Sequence, residues 1–144
     1  MTLLANRWLA SSEFVYLHDL TPTILDWAGA GAFPCSNAQS LTPLLTGGTL
    51  PTPRDDVYMV RHHHPYPYEQ RFVRTKRYKY AFNAADIDEL YDLETDPDEM
   101  VNRIDDAAYT SVKAEMQARM QQHIHQLRDP IAPSFHVLAQ RRGI

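Results

Sequence analysis

The 144-residue sequence has one cysteine, Cys35, which excludes an internal disulfide framework and a cysteine-based zinc site. Its surroundings, "FPCSNAQ", hold no histidine, lysine or arginine to depress a thiol pKa, so a packed or incidental thiol is preferred to a nucleophile. Glycine is scarce, five residues against ten prolines, so turns are set more by proline's fixed φ than by free backbone. Positive charge is not in excess. Fourteen Lys and Arg against eighteen Asp and Glu leave a net charge of -4, which removes the electrostatic reason to expect nucleic acid or an anionic membrane as partner. No apolar run approaches the ~20 residues of a membrane-spanning helix. The opening "MTLLANRWLASSEF" carries Asn6 and Arg7 inside too short an apolar stretch for a signal peptide, so a soluble chain of open compartment is expected.

What is present is enough for a core, with 44% hydrophobic and 22% charged residues. In "LTPTILDWAGAG" Thr21 is placed to cap a helix, Pro22 to open it and Gly29 or Gly31 to end it. Ile24, Leu25, Trp27 and Ala28 leave little of that helix polar, so it asks for a large surface to bury against. Residues 32–54, rich in proline and interrupted by "LTPLL", read as an irregular connection. Strands then follow closely: "DVYMVRH", the hairpin "QRFVRT" and "RYKYAFN", and "ELYDL". In the second hairpin arm Tyr78, Tyr80 and Phe82 alternate with Lys79, Ala81 and Asn83, the pattern of a sheet covered on one face. Asp96-Pro97 predicts a turn, with Asp98 and Glu99 at the positive end of a short helical turn. A long helix is predicted over 107–128, capped by Asp106, its apolar stripe running through Tyr109, Val112, Met116, Met120, His123, Ile124 and Leu127, with Lys113, Glu115, Gln117 and Gln121 on the polar side. Asp129-Pro130 stops it, and 131–144 is left as a tail. The fold class is therefore α+β, a small antiparallel sheet of about four strands packed by one long C-terminal helix.

Chemistry concentrates in "RHHHPYPYEQR", residues 61–71. On a strand His62 and His64 share a face and His63 takes the other, so at most two imidazoles converge locally. Three readings stay open: a transition-metal site, the lining of a polar or anionic substrate pocket, and a solvated loop. The acids of "DELYDLETDPDE" lack the spacing and glycine of an EF-hand and read as turn residues. The basic, aromatic hairpin reads as an ordinary strand pair, not a nucleic-acid platform. His123, on the apolar stripe, reads as a packed histidine and His125 as facing out.

In order and spacing, "LHDLTPTILDWAGAG", "SLTPLLTGG", "RFVRTKRYKYAFN" and "DELYDLETDPDEMVN" resemble the C-terminal part of the type I sulfatase family, within the alkaline-phosphatase-like superfamily. The resemblance covers about Phe14 to Pro130. It implies a division into residues 1–54 (an unmatched start, a remnant helix of the family's large α/β domain and a connecting loop), residues 55–130 as the sulfatase C-terminal subdomain, and residues 131–144 as a tail. For the complete parent enzyme it implies hydrolysis of a sulfate ester or sulfamate by a formylglycine beside a calcium ion. Neither cofactor is expected within this chain. "CSNAQ" lacks the Pro/Ala and the Arg of a C-x-P/A-x-R motif, and Asp55-Asp56 stands in the small subdomain, so no catalytic or metal residue carries over.

What the resemblance does carry is a candidate substrate-binding set, His62, His63, His64 and Tyr66, facing the non-sulfated part of a small sulfated substrate. The expected role is a scaffold and selectivity surface, inactive alone, whose partner is a missing N-terminal catalytic half or a further copy of itself. A stand-alone binding or interaction module, docking through the Leu20 to Ala28 helix, is the alternative. A histidine-dependent metalloprotein is a third.

Overall fold

The computed structural model describes residues 10–31, 34, 37–63 and 68–142. It divides into two compact units, Met1–Asp55 and Asp56–Ile144. Cys35, His64 and Tyr66 lie outside the described residues.

In the first unit a 3-10 turn, Leu17–Asp19, runs into helix α1, Leu20–Ala28, and a single turn of helix, α2, covers Thr42–Leu45. The helix begins earlier than Thr21 and Pro22 predict. The carboxylate of Asp19 reaches back to accept from the Tyr16 N–H at 2.7 Å, closing the 3-10 turn ahead of Thr21. Pro22 becomes the third helical residue, where its missing N–H costs nothing because the first-turn amides have no intrahelical acceptor. Gly29 ends α1 in the left-handed conformation, φ 65°, as expected of a glycine cap.

Among the described residues of this unit a hydrogen-bond network centres on Asp19 and Arg54. The fully buried Asp19 carboxylate also accepts from the Gln39 N–H at 3.0 Å and from both terminal nitrogens of Arg54 at 2.7 and 2.8 Å. Arg54 donates further to the carbonyls of Phe14 and Asn37. The Gln39 side chain pairs in both directions with the backbone of Thr52. The proline-rich stretch is thus tied down at fixed points. On α1, Ile24 and Trp27 are each 63% exposed, and Leu17 in the preceding turn is 84% exposed.

The second unit is an antiparallel meander in the order β1-β2-β3-β4: β1 Asp56–His63, β2 Tyr68–Thr75, β3 Tyr78–Asn83 and β4 Glu89–Asp92. A 3-10 turn, Ala107–Tyr109, follows, with Asp106 accepting from the Ala108 N–H at 3.0 Å, and leads into α3, Thr110–Gln126. Residues 132–142, left as a tail by the sequence, form a further helix, α4, Ala132–Arg142. Tyr58, Val73, Tyr80, Phe82 and Leu90 from one face of the sheet pack with Met116, Met120 and Ile124 of α3 and with Ile131, Phe135 and Ala139 at α4. Phe135 meets Phe82 edge-on, ring centroids 4.9 Å apart.

Three local expectations are corrected. Ala81 and Asn83 are buried although they alternate with the core residues, and the Asn83 amide takes the Gln70 amide, the Ile87 carbonyl and Glu89 as partners. Gln117 is buried, its amide beside the Tyr80 hydroxyl, and does not join the polar side of α3. Asp98 and Glu99 open no helical turn. Glu99 sits at φ 56° and pairs with Lys79, while Asp96 accepts from the N–H groups of Met100 and Val101.

Candidate functional site

The register of β1 and β2 sets His63 across from Tyr68, His62 across from Glu69 and Val60 across from Arg71. Period two then puts His62, Glu69, Arg71 and Val73 on the face that carries Tyr58. Arg71 therefore enters the core, and its side chain is only 1% exposed. The guanidinium makes a bidentate pair with Asp129, Nε to Oδ2 and Nη2 to Oδ1, both at 2.9 Å. Asp129 also accepts from the Tyr58 hydroxyl at 2.7 Å and the Ile131 N–H at 2.9 Å. Outward from this anchor, Glu69 lies 3.7 Å from Arg71, and His62 Nδ1 lies 3.6 Å from Glu69. The two outer separations are beyond hydrogen-bond length. A line of polar groups thus runs from the buried corner after α3 to the exposed rim at the end of β1.

The protonation states of the anchor follow from its surroundings. Burial raises the Asp129 carboxyl, but the Arg71 guanidinium, the Ile131 amide and the Tyr58 hydroxyl together bring it down to about 2. Burial and the Asp129 acceptor push Tyr58 far above the ordinary phenol range. At neutral pH the group is a cation, an anion and a neutral phenol, fully paired.

The other sequestered carboxylates are committed in the same way. Asp92 takes Arg77 at 2.9 and 3.0 Å and the Tyr109 hydroxyl at 3.2 Å, and Arg77 is the leading cause that holds its carboxyl low. Asp56 accepts from Arg119 at 2.8 Å and lies 2.8 Å from His123 Nε2. The contact with His123 leads in lowering its pKa, against burial and with help from Arg119. Asp88 accepts from the Tyr80 hydroxyl, the Asn83 N–H and Arg142.

Calcium asks for six to eight oxygen ligands with several carboxylates available. Here the carboxylate oxygens already face guanidinium groups and N–H donors, and among the described residues no three His, Cys, Asp or Glu side chains gather as a metal site would require. The described residues thus hold no calcium ligand set of that kind, and Cys35 lies outside them.

Of the candidate substrate-binding residues, His62 is exposed, with 64% of its side chain open to solvent, and His63 ends β1. His64 and Tyr66 lie outside the described residues. His123 is half-buried, stacked on Tyr58 at 5.3 Å, and His125 is exposed. Sequence reasoning missed the Arg71, Asp129 and Tyr58 anchor. Its signal was an arginine sharing parity with Val73 on an inward-facing strand position.

Comparison with known proteins follows this geometry. The sequence profile of the family "N-sulphoglucosamine sulphohydrolase, C-terminal" matches residues 5–126. An uncharacterized protein of Haemophilus influenzae is 35% identical over 123 residues, 85% of this chain and 63% of that protein. The delta 4,5-hexuronate-2-O-sulfatase of Bacteroides thetaiotaomicron is 36% identical over 117 residues, 77% of this chain and 24% of the enzyme. Among solved structures, a putative sulfatase of Bacteroides thetaiotaomicron superposes with a TM-score of 0.70 at 32% identity, covering 77% of this chain and 25% of that one. The chain thus spans under two thirds of the Haemophilus relative and about a quarter of the sulfatases it matches.

Proposed function

The chain belongs to the N-sulphoglucosamine sulphohydrolase C-terminal family of sulfatases, and on that premise we propose that it supplies the scaffold and selectivity surface of a sulfatase whose bond-breaking groups are provided by other sequence. The observation that carries this reading is the commitment of Asp56, Asp88, Asp92 and Asp129 to structural cations, which fits a rigid support. The substrate contact is assigned to the end of β1, where His62 is exposed and His63, His64 and Tyr66 follow. Imidazole and phenol groups there would donate hydrogen bonds to the sulfate-free part of a small sulfated substrate. The exposed apolar side of α1 is assigned to docking the catalytic half, because Ile24 and Trp27 gain by burial what they lack in this chain.

Purified chain is expected to show no turnover of an aryl sulfate, and activity is expected when an N-terminal catalytic portion of a sulfatase is co-expressed with it. Robust turnover by the isolated chain refutes the assignment. A second reading, a stand-alone interaction module, draws on the same exposed α1 residues. It is favoured if the chain is a well-behaved monomer or defined dimer in light scattering and gains no activity from any catalytic portion.

A further inference from the structure

We propose that Glu69 is the positioning residue of the rim at the end of β1. It keeps the proton of His62 on Nδ1, leaves Nε2 as a hydrogen-bond acceptor, and so makes this contact select a hydroxyl or amine of the substrate and turn away an anionic group. The inference rests on the assignment of the substrate contact to this rim, and its test separates the two.

A histidine by itself carries no such preference. Neutral imidazole donates from one nitrogen and accepts at the other, and the partner that each nitrogen finds decides which of them holds the proton. The register of β1 and β2 places His62 directly across from Glu69, on the face that also carries Arg71. The two oxygens of Glu69 divide between these neighbours, Oε1 at 3.6 Å from His62 Nδ1 and Oε2 at 3.7 Å from Arg71 Nη2. Arg71 is fixed, because Asp129 grips it in the core through two hydrogen bonds of 2.9 Å. The carboxylate is thus drawn inward by an immobile cation and meets the imidazole on its Nδ1 side. An ionised carboxylate offers lone pairs only, so a bare Nδ1 would set lone pair against lone pair, whereas an Nδ1–H turns its positive end to the oxygen. Closing by about 0.4 Å, a small rotation for two solvent-facing side chains, makes the separation a hydrogen bond.

The surrounding charges point the same way. Arg61, one residue before His62, lies on the opposite face, where its guanidinium reaches Gln70 at 3.4 Å. Among the described residues no lysine or arginine other than Arg71 forms an ion pair with Glu69. One cation therefore stands against two carboxylates, Asp129 and Glu69, and the outer one, 44% exposed, carries the excess negative charge. An incoming sulfate or carboxylate meets that charge at close range. A hydroxyl or amine instead brings the donor that Nε2 lacks.

Proton–nitrogen correlation spectra of the histidine rings in the isotope-labelled full chain, recorded at about pH 8, above the ordinary imidazole range, read the tautomer, with His62→Gln identifying the signals. His62 should show the Nδ1–H form. Glu69→Ala should return it toward the Nε2–H form that a free histidine side chain favours, with little change in melting because the side chain lies outside the core. In the same spectra glucosamine should move the His62 signals and inorganic sulfate should move them about five-fold less, the effect of one like charge at ~4 Å in water, and Glu69→Ala should remove that difference. An Nε2–H form in the unmodified chain, or a tautomer indifferent to Glu69→Ala, overturns the positioning role. Equal responses to sulfate and glucosamine overturn the selectivity. A ring in the Nδ1–H form that answers to neither compound refutes the substrate contact at this rim, and the selectivity with it, while the hold of Glu69 on the tautomer stands.

Discussion

Replacing Asp129 by alanine tests the buried anchor directly. The substitution takes from the Arg71 guanidinium, 1% exposed, its bidentate carboxylate, leaving the Gln70 carbonyl at 3.1 Å and Glu69 at 3.7 Å among its neighbours, and removes one acceptor from the Tyr58 hydroxyl. An uncompensated buried charge costs ~3–5 kcal/mol, a large share of the ~5–15 kcal/mol that holds a domain folded. With a urea dependence of ~1–3 kcal/mol per molar, the midpoint should fall by about 2 M. The assay is urea unfolding at pH 7 followed by near-ultraviolet circular dichroism of the tyrosines, since Tyr58 and Tyr80 lie in the second unit. The double variant Arg71→Met with Asp129→Leu removes both charges and should cost less than Asp129→Ala alone, because desolvation of the pair is no longer required.

The same anchor sets an acid limit. Asp129 is held at about 2 when folded against an ordinary 3.8, so its contribution of about 2 kcal/mol is complete above the unfolded value and is lost as pH falls from about 4 through 2. The reasoning fails if Asp129→Ala costs under about 1 kcal/mol, or if the double variant costs the sum of its singles.

Gly29→Ala should destabilise the first unit by ~1–2 kcal/mol, because the position needs φ 65° while a Cβ there meets no atom within 4 Å, so strain is the only term; thermal melting of the far-ultraviolet signal measures it. Phe135→Ala should cost ~3–5 kcal/mol in urea unfolding and raise amide exchange along α4, since the ring is 3% exposed and packs on Phe82. Trp27→Ser should change unfolding free energy by less than about 0.5 kcal/mol yet lower binding of a hydrophobic dye, as expected of an exposed side chain on an unpartnered face.

Legibility tracked how local each interaction is. The β2–β3 hairpin was readable because Lys76-Arg77 leaves two strands only a turn's length, and the observed register places Arg74 opposite Lys79. The Asp106 cap was readable because its acceptor and donor are two residues apart. Asp129 was read as a helix stop because its local role, before Pro130, explains it completely. Its pairing with Arg71 spans 58 residues and leaves no local trace beyond the parity of one arginine. Helix α4 was hidden for a similar reason. "APSFHVLAQRR" has few strong helix formers facing a core, and it is the contacts of Ile131, Phe135 and Ala139 that give it a reason to fold. The candidate site was legible only as a composition, because the spacing of His62 to His64 shows which residues share a strand face and not what lies opposite.

The distribution of charge suits the proposed role of this subdomain as a support. A catalytic carboxylate or a metal ligand must keep lone pairs aimed at something that comes and goes. Here each sequestered aspartate instead fastens two elements that are distant in the chain. Asp56 joins β1 to α3 through Arg119, Asp88 joins the β4 entry to α4 through Arg142, and Asp129 joins the corner after α3 to β2 through Arg71. Such pairs add modest net free energy once desolvation is counted, but each one excludes arrangements in which the charges part, so they fix where the strands end relative to the helices. β1 is tied to α3 through Asp56 and Arg119 and is paired along its length with β2, whose Arg71 is anchored on Asp129; the proposed substrate contact at His62 would be carried by that strand.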